Sequence, residues 1–456
     1  MNQIPPRGRR LLVALLAAST SMPVIAGESG GDGLPGTTEG LTASASIRSR
    51  VEAIDGQFRP GLNDEDVFVS FRTIVTAEYD FGPVRLGGEL RDARGYAQNR
   101  GTSVGKSDVN ALEPQQFYGA LDLENVLSAG DVVSLIGGRT TLNIGSGRII
   151  GESGFSNAVD SFTGGQLRWA APNGDKFIGL YVLPSKRKPT DYESLRANEV
   201  AFDPVDDDKA LYGAHFTRGD LFSGVSGEIY AFGYEEDGSA RERDLATFGA
   251  RLVRKGKAGV VDFDVEAIRQ TGEIRDVAGV DPDIDVDAVF AHAEVGYTLA
   301  GAGKTRLSLF GDYGTGDDKG TSDVETFDKL YGKTSSDFGP TGLYGALSRS
   351  NIVAVGVGVG GKIGKATSYE VTGRGAWLES ATDKFAKTGV VDKTGKSGTY
   401  AGTQFTAKAY HWLVPDRYRL EAGGAYLAKG EFLRDAPNAP DNGDTKYGYV
   451  AVTASF

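Results

Sequence analysis

From Leu41 to Phe456 the chain is a succession of short segments in which apolar and polar residues alternate, and this period of two constrains the fold more than any other feature. Leu41, Ala43, Ala45, Ile47, Val51 and Ala53 alternate with Ser44, Ser46, Arg48, Arg50 and Glu52. The next segment sets Val67, Val69, Phe71, Val75, Ala77 and Tyr79 against Ser70, Arg72, Thr76 and Glu78. Successive side chains of a strand point to opposite faces, so each segment offers one apolar and one polar wall. Between Val261 and Ala267 the polar wall is Asp262, Asp264 and Glu266, and the other is Val261, Phe263 and Val265. Carboxylates opposite purely apolar groups suit a lipid-facing wall around a wet lumen.

About 18 such segments can be counted, 16 being the alternative, with centres running from Ile47 and Ala77 through Val265 and Val357 to Ala451. Their connections alternate in length. Asp80–Pro83, Ala171–Asp175, Lys255–Gly259, Ala300–Lys304, Gly364–Thr367 and Val414–Arg417 are tight turns, one carrying the hairpin signal Asn173-Gly174. Between them lie long polar stretches such as Arg94–Pro114, Thr140–Thr163, Pro184–Asp208 and Gly314–Ser350. Short periplasmic turns and long extracellular loops predict an all-β fold, a transmembrane antiparallel β-barrel of the outer membrane. The last segment fits this: Val450, Val452, Ala454 and Phe456 share one face and the terminal aromatic suits the membrane interface. Trp169, Trp377 and Trp412 fall near segment ends, where an interfacial girdle belongs. A soluble sandwich or solenoid also alternates, but no repeat of fixed period is present to stack its core.

The first 26 residues read as a signal peptide: Arg7, Arg9 and Arg10, the apolar run Leu11–Ala18, then Val24-Ile25-Ala26 with cleavage expected after Ala26. Arg9-Arg10 would allow twin-arginine export, although the flanking residues fit it poorly. Residues 27–40 are then a short periplasmic segment, and 41–456 the barrel. Three of the 49 basic residues precede the cleavage site, which leaves 46 against 61 acidic ones, a formal charge of −15. Such acidity argues against nucleic acid as a partner. With no cysteine, thiol chemistry, thiolate metal sites and disulfides are excluded. An exported chain of this length must then be held by something else, such as a closed hydrogen-bonded sheet.

Arginine recurs on the polar face, at Arg48, Arg50, Arg72, Arg85, Arg91, Arg251, Arg306, Arg374 and Arg419. Glu52, Glu78, Glu89, Glu370 and Glu421 share that face, so one outcome is an internal salt-bridge ladder that stiffens the wall. The other is a guanidinium-lined track for anions, because arginine stays charged and grips carboxylates in a bidentate fork. Catalysis has little to work with: His292 has Glu294 on its own face as a possible acid–base pair, but no nucleophile stands beside them. No cofactor is expected, although the acidic stretches Asp203–Asp208 and Asp281–Asp287 could hold Ca²⁺.

Two stretches carry a family resemblance. The first runs Gly138-Arg139-Thr140-Thr141-Leu142-Asn143-Ile144-Gly145-Ser146-Gly147-Arg148-Ile149, followed by Phe155, Asn157 and Phe162. The second is Phe327-Asp328-Lys329-Leu330-Tyr331-Gly332, with Arg349-Ser350-Asn351 downstream. Together with the arginine-rich opening segment Ile47–Glu52, they resemble the alginate-export family of outer-membrane porins. The resemblance implies a monomeric barrel that conducts acidic polysaccharide through an arginine-rich lumen narrowed by inward loops. Arg139 and Arg148 would then form the constriction, with Asn143, Gly145, Gly147, Tyr331 and Asn351 holding the loops. It also implies outer-membrane lipid and the barrel-assembly machinery as partners. A general, weakly selective porin would use the same wall with its arginines neutralised.

Overall fold

A computed structural model describes residues 40–456 apart from 239, 240, 277–279 and 302. The signal segment and residues 27–39 lie outside the described residues. The first third of the sheet is β1 (Gly40–Asp55), β2 (Asp66–Asp80), β3 (Val84–Tyr96), β4 (Asn110–Glu124), β5 (Val132–Thr140) and β6 (Phe162–Ala170). The middle third is β7 (Lys176–Pro184), β8 (Lys209–Phe222), β9 (Val225–Gly238), β10 (Arg241–Arg254), β11 (Val261–Arg275) and β12 (Ile284–Thr298). The last third is β13 (Arg306–Gly314), β14 (Ile352–Ile363), β15 (Thr367–Trp377), β16 (Tyr400–Val414), β17 (Tyr418–Lys429) and β18 (Thr445–Ser455).

All pairings are antiparallel between chain neighbours, and β1 also pairs with β18, so the 18 strands close on themselves. Closure removes the free edges that would leave backbone groups unpaired in lipid. It extends to the terminal residue, whose amide donates to the Ala45 carbonyl at 2.8 Å and whose carbonyl accepts from the Ala45 amide at 3.0 Å. The expected alternation sets the orientation of every strand. On β1, Ile47 and Val51 are 46% and 41% exposed on the outer wall, whereas Arg48, Arg50 and Glu52 are 6% exposed or less inside. On β11 the outward Val261 and Val265 alternate with the buried Asp262 and Glu266. Trp169, Trp377 and Trp412 stand at or within two residues of strand ends, as expected.

The outer half of the lumen is filled by loops. One apolar cluster joins Phe58, Phe338, Leu343, Tyr344, Phe385 and Phe432, most of them loop residues, to inward residues of β1, β2 and β16–β18. A second sets Leu142, Ile144, Ile149 and Ile150 against inward residues of β6–β12. The loops thus have a core of their own inside the barrel, which an alternating wall with a polar inner face does not by itself require.

Candidate functional site

Two loops from opposite parts of the sheet meet inside the lumen. Residues 141–161 follow β5, and residues 315–351 link β13 to β14. Ile150 bridges Tyr331, the Gly151 amide donates to the Tyr331 carbonyl at 3.1 Å, and the Lys333 amide donates to the Gly147 carbonyl at 3.0 Å. The Tyr331 ring packs edge-on against Phe162 at 5.0 Å. Gly145 (φ 55°) and Gly147 (φ 75°) make the crossing possible. A Cβ on Gly145 would lie 2.7 Å from His215 Nε2, and one on Gly147 would lie 2.6 Å from the Lys333 side chain. Glycine is needed at both positions for backbone conformation and for close approach.

Arg148 sits at this crossing with three carboxylates around it: Glu266 at 2.6 Å, Asp337 at 3.1 Å and Asp264 at 3.3 Å. Asp337, in the helical turn Ser335–Phe338, also takes the guanidinium of Arg349, and its carbonyl accepts from Arg374. Burial alone would raise the Asp337 carboxyl, but Arg148 and Arg349 beside it hold it well below the usual carboxylate range. Arg148 is raised for the complementary reason: burial opposes its charge, and Asp337, Glu266 and Asp264 outweigh that cost. The node ties one loop to the other and both to β11.

Arg48, Arg50 and Arg72 form a second group. They converge on residues 154–157, and among the described residues only Arg50 of the three has a carboxylate partner, Glu52 at 2.7 Å. The remaining predicted arginines settle with nearby acids. Arg85 binds Glu78 and Asp122 at 2.8 and 2.5 Å, and Arg91 binds Glu89 and Glu152 at 2.8 and 2.9 Å. Arg306 binds Asp262 and Glu294, Arg251 binds Glu228 and Asp264, and Arg419 reaches Glu421 at 3.3 Å. Arg139 and Arg148 share no partner. Arg139 donates to Glu113 at 2.6 Å and to the Asp203 carbonyl at 2.9 Å, which pins the loop between β7 and β8. Asn351 (φ 47°) accepts from the amides of Glu379 and Ser380 at 2.9 and 2.7 Å and so fixes the loop after β15.

The acid–base pairing suggested for His292 is corrected. His292 Nδ1 meets Asp312 at 2.7 Å, across the strand pair, while Glu294 is taken by Arg306 at 2.6 Å. Directly opposed residues on neighbouring strands are closer than residues two apart on one strand, so the cross-strand partner wins. Of the acidic stretches, Asp206 pairs with Lys209 at 3.0 Å, and Asp283 and Asp287 pair with Arg275 and Arg269 at 2.8 and 3.0 Å. Among the described residues, no group of three or more His, Asp or Glu is arranged for a metal.

A basic cavity of about 220 Å³, which sequence reasoning missed, lies above the crossing. Arg59, Arg187, Lys329, Lys333 and Lys387 line it with Asp108 and Asp160. Arg187 is held by Asp160 at 3.1 Å, and Arg59 is turned towards the Leu343 carbonyl at 3.0 Å. Burial, then Lys387 and Arg349, push Lys329 down to about 7. Burial, then Arg59, Arg187 and Arg349, lower Lys387 as well. The five basic residues come from four different connections, so no local pattern announces them; the one available signal is Lys329 inside the Phe327–Gly332 motif. Lys333 leads downward: its ammonium donates to Asn143 Oδ1 at 3.3 Å, and Asn143 lines a periplasmic-side cavity of about 830 Å³. Arg85 and Arg251 also line that lower cavity.

The fold is shared by several outer-membrane proteins of Pseudomonas aeruginosa. OccK8 (OprE) superposes with a TM-score of 0.57 at 11% identity, over 91% of this chain and 98% of its own. OccK9 (OpdG) gives 0.58 at 11% identity, over 91% and 98%. OccK2 (OpdF), solved in complex with glucuronate, gives 0.58 at 12% identity, over 92% and 99%. A comparison with curated protein sequences finds no match. The family described as Alginate export matches residues 40–443, nearly the whole barrel. That family is described by export and not by a reaction, which sets aside the catalytic alternative. With a closed barrel of 18 strands, inward-folded loops and this match, the chain belongs to the alginate-export family of outer-membrane porins.

Proposed function

We propose that this channel conducts carboxylate-bearing saccharides, acidic oligo- or polysaccharide such as alginate, as a monomer inserted by the barrel-assembly machinery. The observation that carries the reading is the outer cavity, where five basic side chains stand against two carboxylates in a chain that is acidic overall. Cations held close together in a low-dielectric niche repel one another, and a bound carboxylate relieves that repulsion. Several moderate basic sites along a path favour conduction over tight capture. Lys333 and Asn143 offer such a step between the outer cavity and the lower one. The complex of OccK2 with glucuronate supports the same solute class for this chain.

The arginines of the strands support a second reading, the general porin. Arg85, Arg251 and Arg306 each meet two carboxylates, so they brace the wall as much as they attract anions. Selectivity is therefore assigned to the loop cations and not to those strand arginines. The experiment is a planar-bilayer reversal potential in a KCl gradient for the double variant Lys333→Gln/Lys387→Gln. The expected result is a shift towards cation permeation and loss of current block by glucuronate. Unchanged selectivity and block would leave the general porin as the better reading.

A further inference from the structure

Arg48 and Arg72 stand directly opposite each other on β1 and β2, both turned into the lumen. Like charges in opposed positions destabilise a sheet unless something compensates them. Among the described residues, neither has a carboxylate within ion-pair distance, unlike Arg85, Arg91, Arg251 and Arg306. Backbone oxygens take their place. Arg48 donates to the carbonyls of Gly154, Phe155 and Ser156 at 2.8, 2.9 and 3.2 Å, and to Asn157 Oδ1 at 2.7 Å. Arg72 donates to the carbonyls of Gly154 and Ser156 at 3.1 and 2.9 Å. The Nε–H groups of both are buried without an acceptor. Arg50 donates to the Phe155 carbonyl at 2.6 Å with its guanidinium 4.0 Å above that ring. Ser156 of the same segment, with Gly151 and Ser153 just before it, also lines the basic cavity.

We propose that Arg48 and Arg72 form a carboxylate site covered by the Gly154–Asn157 strap, and that a solute carboxylate uncovers it by replacing the strap carbonyls. A carboxylate is the better acceptor, since it adds the attraction of opposite charges and takes two guanidinium N–H groups in parallel. Two opposed guanidinium groups suit one bidentate carboxylate. Once Arg48 and Arg72 release its carbonyls, the strap is left on Arg50 at Phe155 and on the Asn157–Asp108 contact, and its Gly154 end moves away from β1 and β2, which joins this wall of the lumen to the outer cavity. The proposal rests on the reading of the lumen as an anion path and adds that the path is widened by its own cargo.

The chain has no cysteine, so a single Gly154→Cys carries a nitroxide cleanly. A Cβ at Gly154 meets nothing within 4 Å. In the full-length barrel, sodium glucuronate is expected to raise the mobile fraction of the spectrum about tenfold, the change that follows when exchanging carbonyl for carboxylate gains as much as one net hydrogen bond. Glucose and NaCl at matched concentration are expected to leave it unchanged. Arg72→Met and Arg48→Met, each checked for heat-modifiable migration, are expected to be mobile from the start and insensitive to glucuronate. A label that stays immobile with glucuronate, or in both variants, overturns the proposal. Reversal potential on the same preparation separates the two readings. An anion-selective barrel with an immobile strap removes the latch alone, and a cation-selective barrel whose strap still loosens removes the conduction reading alone.

Discussion

Replacing Arg148 with methionine is expected to loosen both inward loops while leaving the barrel closed. The side chain is almost wholly buried, and the change strands Glu266, Asp264 and Asp337 without their shared cation. Removing one partner of a buried ion pair costs about 3–5 kcal/mol, because the opposing charge is left uncompensated. Arg349 still holds Asp337 and Arg251 still holds Asp264, so Glu266, with only the Tyr230 and Ser146 hydroxyls left, bears most of that cost. A loss of this size raises the equilibrium for loop opening by about 10² to 10⁴. The barrel stays closed although Glu266 stands on β11, since backbone strand pairing makes no use of Arg148. Limited proteolysis reads the opening directly, with cleavage expected in residues 141–161 and 315–351 while the heat-modifiable gel shift persists. The double variant Arg148→Met/Glu266→Gln is expected to recover most of the protection. Proteolysis of Arg148→Met at the wild-type rate would refute the reasoning, because the node would then hold nothing.

Anion selectivity is expected to fall as pH rises from 5 to 8. Asp108, pushed up to about 6 by burial and then by Glu52, gains its negative charge over this range. Lys329, lowered to about 7 by burial, Lys387 and Arg349 against the weaker pull of Asp160 and Asp328, loses its positive charge over the same range. A reversal potential independent of pH would contradict this, and Lys329→Met is expected to flatten the upper part of the profile. Deleting Phe456 removes both backbone bonds to Ala45 and is expected to lower the yield of folded barrel on heat-shift gels, while deletion of residues within 378–399 is expected to be tolerated. Gly145→Ala forces a left-handed conformation that costs about 1–2 kcal/mol and drives a Cβ against His215 and Glu228. The expected outcome is a noisier, larger single-channel conductance, and quiet channels of wild-type size would count against the crossing.

Much of this barrel is determined by sequence alone. Each of the 18 segment centres, from Ile47 to Ala451, lies inside one observed strand, because period-two alternation is a local property that lipid on one side and water on the other both enforce. The inward direction of Arg48, Arg50 and Arg72 follows from the same parity. Sequence also locates the loops that matter, since Gly145, Gly147 and the Phe327–Tyr331 motif sit at the crossing itself. Partners are another matter. Strand parity says which face a charge occupies but not which neighbour is nearest, so His292 meets Asp312 and not Glu294. Nor does it say that Arg48 and Arg72 hold carbonyls more than 80 positions away. The basic cavity is the clearest case: Arg59, Arg187, Lys329, Lys333 and Lys387 are scattered from position 59 to 387 and become one field only when loops fold into the lumen. Electrostatic energy depends on distance in space, and in a closed barrel the loops bring together charges that the sequence keeps far apart.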